Sequence, residues 1–262
     1  MLFVIDIGNT HTVLGVFRGE QLLQDWRIST DRGRTADEVG VLIQSLLAAA
    51  GIDPAEIKGV AMSCVVPSLT QTFESLAQRN LHLTPLVVGP GVKTGMAILM
   101  DNPREVGADR IVNSVAAYHR LQQACIVVDF GTATTFDCLS ARGEYLGGVI
   151  SPGIGISSEA LFQKASKLPL VEIVRPRTVI GKNTVHGMQS GIFYGYVSMV
   201  DGMVERIRRE MGCEAYVIAT GGFAGRIASE SKTIQAVDRF LTLEGLRIVY
   251  QINRKEEGGD QP

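Results

Sequence analysis

The 262-residue chain lacks both of the most familiar nucleotide signatures. No Gly-x-Gly-x-x-Gly stands at a strand-to-helix turn, and no Gly-x-x-x-x-Gly-Lys-Ser/Thr loop is present. Its four cysteines (Cys64, Cys125, Cys138, Cys213) form no Cys-x-x-Cys pair, which argues against structural zinc and predicts buried, reduced thiols in a cytoplasmic protein. His82, His119 and His186 show no metal-ligand spacing. No apolar run approaches the ~18 residues that a membrane helix needs. No basic stretch precedes Met1-Leu2-Phe3-Val4-Ile5, so the opening is not expected to be a signal peptide. A formal charge of −2 exerts no general pull toward nucleic acid or an anionic membrane, and no helix carries a basic stripe. With 45% hydrophobic and 20% charged residues, the composition is that of a soluble globular enzyme.

What the chain does have is glycine, 29 residues of it, arranged in a repeat. Leu2-Phe3-Val4-Ile5-Asp6-Ile7-Gly8-Asn9-Thr10-His11-Thr12 is followed by an apolar run from Val13 to Phe17 and then Arg18-Gly19-Glu20. Cys125-Ile126-Val127-Val128-Asp129-Phe130-Gly131-Thr132-Ala133-Thr134-Thr135 is followed by Phe136 to Leu139 and then Arg142-Gly143-Glu144. Each copy reads as a buried strand, an Asp-x-Gly-x-x turn, a return strand and a second turn. The similarity predicts two duplicated lobes with a boundary at 118–124. Between the hairpins lie helical segments: Thr35-Ala36-Asp37-Glu38 forms a capping box ahead of a helix to Ala50. Further helices are expected over Pro67–Arg79, Ala108–Leu121, Ser157–Ala165, Gly187–Met211 and Leu243–Ile252, with strands over Lys58–Val65, Leu86–Val88 and Ala215–Ala219. The class is α/β.

A tight turn after a strand presents backbone N–H groups toward a phosphate, and glycine lets the backbone come close. Asn9, Thr10 and Thr12 add donors, and His11 lies within the same turn. A carboxylate at Asp6 would repel phosphate unless a cation such as Mg²⁺ lay between them. Asp129 repeats that logic beside Thr132, Thr134 and Thr135. The alternative is a pair of ordinary Asx turns, which two matching copies disfavour. Thr220-Gly221-Gly222-Phe223-Ala224-Gly225 could receive an adenine or ribose against its backbone, and Leu146 to Gly155 either hugs a ligand or permits close packing.

Asp101-Asn102-Pro103-Arg104-Glu105-Val106-Gly107-Ala108-Asp109-Arg110 gathers the groups that phosphoryl transfer to an alcohol requires. Asp109 can accept the hydroxyl proton, Arg110 can fork onto a carboxylate or phosphate, and Asn113 can share the face of Asp109. An aspartate in a first helical turn can equally serve only the helix dipole.

These motifs, in this order along nearly the whole chain, resemble the bacterial type III pantothenate kinases. The resemblance rests on Asp6 to Thr10, Asp101 to Pro103, Glu105 to Arg110, Asp129 to Thr135, Gly147-Gly148 with Pro152-Gly153, and Thr220 to Gly222. It implies a duplicated actin-like (ribonuclease H-like) fold of two lobes with mixed sheets. The lobes would span 1–118 and 119–253, the last helix packing back on the first lobe, with a flexible tail over 254–262. It implies ATP-dependent phosphorylation of pantothenate to 4′-phosphopantothenate, the first step of coenzyme A synthesis, in a cytoplasmic homodimer. ATP would be bound by Asp6, Ile7, Gly8, Asn9, Thr10, His11, Thr12 and Val13, with Thr132 and Gly221. Pantothenate would be held by Gly107, Ala108, Asp109, Arg110 and Thr184, Asp109 acting as proton acceptor. Asp129 would bind K⁺ or NH₄⁺, alongside Mg²⁺ carried by ATP.

One departure concerns the acceptor pocket. Met100 and Leu99 stand where the family commonly has a tyrosine and a basic or polar residue, so the pocket would gain an apolar, adaptable wall. A kinase of a related small hydroxy acid, and a non-catalytic regulatory member of the same fold, are the competing expectations. Intact Asp6, Asp129 and Asp109 count against the regulatory one.

Overall fold

The computed structural model describes residues 1–257. In chain order the elements are β1 (Leu2–Ile7), β2 (His11–Arg18), β3 (Gln21–Ser29), α1 (Ala36–Ala49), β4 (Gly59–Cys64), α2 (Pro67–Leu81), β5 (Leu86–Val87) and α3 (Ala108–Leu121). They continue as β6 (Cys125–Phe130), β7 (Ala133–Leu139), β8 (Tyr145–Pro152), α4 (Ile154–Lys164), α5 (Thr184–Met211), β9 (Tyr216–Gly221), α6 (Ala224–Ala228), β10 (Ala236–Val237) and α7 (Leu241–Glu257). Packing divides the chain into two units. The first takes Met1–Met96, Asn102–Ala116 and the segment from Leu241, and the second takes Ala97–Asp101 and Ala117–Phe240.

In the first unit the sheet order is β3-β2-β1-β4-β5, with β1 antiparallel to β2 and parallel to β4. Central β1 is apolar on both faces because both are covered. Phe3, Ile5 and Ile7 pack with Val39, Ile43 and Leu47 of α1 and with Leu69, Phe73 and Leu76 of α2. On the other face α7 lies over the sheet. A Cβ at Gly15 of β2 would stand 2.9 Å from the Leu243 side chain. The capping box forms as its spacing predicts: Glu38 N donates to Thr35 Oγ1 at 3.3 Å, and Thr35 N donates to Glu38 Oε2 at 2.8 Å.

The second unit repeats the plan, with sheet order β10-β9-β6-β7-β8. Setting β6 to β10 against β1 to β5 gives the same order, so each lobe is one copy of a mixed five-stranded sheet. Ile126, Val128 and Phe130 form its core with Met188, Ile192, Phe193, Val197 and Val200 of α5. Ala97–Asp101 belongs here because Leu99 N donates to Tyr145 O and Tyr145 N donates to Ala97 O, both at 2.8 Å.

Several boundaries differ from those read in the sequence. Helix α5 opens at Thr184 rather than Gly187, because Asn183 Oδ1 accepts the His186 N–H at 2.9 Å and caps it there. Helix α4 opens at Ile154, directly after Gly153, and not at Ser157. Helix α7 continues through Glu257, past the Arg254 where the tail was expected; residues 258–262 of that tail lie outside the described residues. Cys125 and Cys138 are buried, but Cys64 is half-buried and Cys213 exposed, contrary to the expectation that all four thiols are buried.

Candidate active site

The first Asp-x-Gly turn joins β1 to β2 and is braced from β3. Gly8 N donates to His11 O at 3.0 Å, closing the turn. Thr30, just past β3, donates from Oγ1 to Gly8 O at 2.7 Å and from N to Thr10 O at 3.0 Å. Thr12 and Thr30 hydroxyls meet at 3.0 Å, and Thr12 is buried, so the Thr12 hydroxyl braces the turn from within. Asn9, Thr10 and His11 are exposed and can present donors to a ligand. The Ile7 side chain is in the core, leaving only its backbone for that purpose. His11 is held below the usual imidazole range by burial and by the nearby Arg27 charge.

Asp6 closes the floor of this turn. Burial and the neighbouring charge of Asp109 push its carboxyl up to about 7, against the opposing pull of the Ser63 hydroxyl and Arg27. Ser63 Oγ donates to Asp6 Oδ1 at 2.7 Å. Asp109 sits in the first turn of α3, where its Oδ1 accepts the Arg110 N–H at 2.8 Å. Burial raises its carboxyl, opposed by that N–H and by the Arg110 guanidinium. Gly107 makes this geometry possible, since a Cβ there would come within 2.5 Å of Asp109 Oδ1. Asp6 and Asp109, a hundred residues apart in the chain, are thus brought into electrostatic contact within one unit. A raised carboxyl in partial contact with solvent is a fitting neighbour for a cation, which restores its charge. Among the described residues no group of three or more His, Cys, Asp or Glu could cage a metal.

Asn113, expected beside Asp109, is fully buried, and its Oδ1 accepts the Thr242 hydroxyl at 2.7 Å. It joins α3 to the start of α7 and serves the fold rather than the face of Asp109.

In the second unit Asp129 ends β6, and Thr132 is exposed in the following turn. Gly153 N donates to Thr132 O at 3.1 Å, so the chain entering α4 lies on this turn. A Cβ at Gly153 would meet Thr132 O at 2.2 Å, which leaves room for glycine alone. Gly221, at φ +92°, is confined as well: a Cβ there would stand 2.6 Å from Asp129 Oδ1. Thr134, expected as a hydroxyl partner, is fully buried, and Thr135 Oγ1 turns to Asp137 Oδ2 at 3.4 Å. Thr132 is therefore the hydroxyl that this turn offers outward. Thr184 lines an open groove of about 620 Å³ between α4 and α5, with Ser157, Leu161, Met188 and Tyr196.

Sequence reading missed Ser63, Thr30 and Arg32. Their contribution depends on strand pairing: Ser63 faces Asp6 only because β4 lies parallel to β1 in that register.

The sequence model of the family described as type III pantothenate kinase matches residues 2–206. The chain belongs to the type III pantothenate kinase family. A Myxococcus xanthus protein of that name is 59% identical over 253 residues, spanning 97% of this chain and 99% of its own. Among solved structures, a Campylobacter jejuni protein described as a Baf family transcriptional activator superposes with TM-score 0.61 at 17% identity, covering 97% of this chain and 99% of that one. A ROK family glucokinase from Streptomyces griseus, solved with glucose and AMPPNP, gives TM-score 0.56 at 12% identity, covering 97% and 99%. At such identities these two speak for the fold alone, the actin-like fold of the sugar kinases.

Proposed function

We infer that this protein is a kinase that transfers the terminal phosphoryl group of ATP to the primary hydroxyl of pantothenate, giving 4′-phosphopantothenate for coenzyme A synthesis. Family membership supports the substrates, and the juxtaposition of Asp6 and Asp109 carries the chemistry. Asp109 takes the proton of the acceptor hydroxyl: a carboxylate with raised basicity is a better acceptor, provided it is ionised at working pH. Asp6 would hold Mg²⁺, directly or through water, and the ion would supply positive charge to the phosphates. Asn9, Thr10 and His11 line the phosphate turn, with the backbone of Ile7, Gly8, Thr12 and Val13 behind them and Thr132 and Gly221 as further ATP contacts. Gly107, Ala108 and Arg110 hold pantothenate, the Arg110 fork suiting its carboxylate, and Thr184 is a further contact. Asp129 takes a monovalent cation, K⁺ or NH₄⁺.

The protein acts in the cytoplasm, where ATP is made, as a homodimer. Leu161, Phe162, Leu170, Val179, Ile180 and Val185 of the second unit are exposed large apolar residues on α4, the start of α5 and the chain between them. Such a concentration favours burial against a second copy. Light scattering decides this: a mass of one chain at micromolar concentration would refute it.

The activity test is direct. Purified protein with ATP, Mg²⁺ and K⁺ is expected to release ADP in proportion to pantothenate consumed. Release independent of pantothenate, or dependent on another hydroxy acid in a substrate panel, would overturn the assignment. A regulatory role without turnover would show as ATP binding with no ADP formed.

A further inference from the structure

The Gly8–Thr10 turn bears no cationic side chain, and the carboxylates of Asp6 and Asp109 lie beside it. A triphosphate resting there calls for positive charge beyond one Mg²⁺. The segment leaving β3 brings such a charge to the rim. Thr30 fastens that segment to both shoulders of the turn through Gly8 O and Thr10 O. Two residues further on, Arg32 Nη2 donates to Asn9 Oδ1 at 3.1 Å.

The neighbouring arginines are engaged differently. Arg34 lies 3.7 Å from Asp31, and its charge also reaches Glu38, so acidic residues already surround it. Arg27 acts on Asp6 and His11. Arg32 is exposed and, among the described residues, forms no ion pair; its hydrogen-bond partner, Asn9, is neutral. A neutral acceptor orients a guanidinium without cancelling its charge. One N–H of five is used in that bond, which leaves the rest of the planar fork for phosphate oxygens.

We propose that Arg32 is a phosphate ligand of the ATP site, a cationic wall of the Gly8–Thr10 turn positioned by Thr30 and oriented by Asn9. The proposal rests on the reading that this turn binds ATP. It adds a residue that the second copy does not repeat: Arg32 stands three residues past the end of β3, and Gly155 stands three residues past the end of the matching strand β8. The rim of the first turn therefore carries a cationic side chain at a point where the second copy has glycine.

The test compares wild type with Arg32→Ala, Arg32→Lys and Arg34→Ala. Binding of Mg·ATP is followed by ³¹P NMR titration, with KM for ATP and for pantothenate measured alongside. Loss of a charge-assisted hydrogen bond predicts that Arg32→Ala weakens Mg·ATP about tenfold to a hundredfold, with KM for pantothenate little changed. Arg32→Lys should recover part of the loss, keeping charge without the fork, and Arg34→Ala should stay within about twofold, as a half-buried residue whose charge is already paired with Asp31. Thermal melting of each variant shows that it is folded. Equal Mg·ATP affinity in wild type and Arg32→Ala would overturn the proposal, as would ³¹P resonances that wild type leaves unperturbed. Weakened ATP binding in Arg32→Ala supports it whether or not pantothenate is the acceptor, so a failure of the acceptor assignment is read separately.

Discussion

Ser63 Oγ donates a 2.7 Å hydrogen bond to Asp6 Oδ1, across the parallel pair of β1 and β4. The second unit repeats the placement, with Asp129 on β6 opposite Thr220 on β9. In each copy the strand parallel to the Asp-x-Gly strand thus brings a hydroxyl residue level with the carboxylate. In the first copy that hydroxyl counteracts two influences that favour protonation of Asp6, burial and the charge of Asp109. It keeps the carboxylate available to a cation.

Replacing Ser63 with alanine removes that support. A hydrogen bond to a charged group is worth about 1.5–3 kcal/mol. The Mg²⁺ concentration for half-maximal rate is therefore expected to rise about tenfold or more. Titrations of Mg²⁺ at fixed ATP measure it; an unchanged midpoint would confine Ser63 to a packing role.

Asp109→Asn preserves shape and removes the proposed base. General-base catalysis contributes about 10²–10⁴-fold, so kcat should fall by that order while both KM values move little. Because Asp109 raises the Asp6 carboxyl, the same variant should lower the pKa of Asp6 in the ligand-free protein. A carbon-detected NMR titration of the Asp6 side chain reads that shift, and an unmoved value would mean that the two carboxylates are uncoupled.

The stability of the ligand-free protein should fall as pH rises through the acid and neutral range. Asp6 titrates near 7 when folded, against an ordinary value of 3.8. The folded state therefore holds a proton that the unfolded chain has released between those values. The contribution is fully present below about 3.8 and is lost as pH climbs toward about 7. Asp109, also raised, adds to the same slope. Denaturant melts of wild type and Asp6→Asn between these limits test it: the variant should show the shallower decline. Added Mg·ATP should flatten the wild-type slope by favouring the charged carboxylate.

Gly221→Ala places a methyl group 2.6 Å from Asp129 Oδ1 at a φ of +92°. Backbone strain of this kind costs about 1–3 kcal/mol. Both stability and the Asp129 site should suffer. The expected outcome is a lowered melting temperature together with a raised K⁺ requirement for activity. Wild-type behaviour in both would show that β9 can shift away from Asp129.

Much of the site could be read in the chain because it is local. Asp6 to Thr12 and Asp129 to Thr135 are each a strand, a turn and a strand, whose geometry follows from near neighbours, and the Thr35–Glu38 cap is set by four consecutive residues. Helix starts were less legible where a cap competes with hydrophobic periodicity, as at Asn183 and Gly153. The roles of individual hydroxyls were less legible still. Thr12 and Thr134 match the ligand pattern by residue type, yet pleat alternation turns both side chains inward. Asn113 lies one helical turn from Asp109, yet it faces α7.

The sequence by itself determined the duplicated Asp-x-Gly turns, the α/β class, the family and Asp109 as the candidate base, because each is written in contiguous residues. Only the tertiary structure decided that Asp6 and Asp109 share one electrostatic environment, that Ser63 supports the former, and that Thr30 and Arg32 wall the first turn. Those relations depend on which strands pair and in what register. Register is fixed by burial of whole sheet faces, a property spread over the chain and carried by no motif.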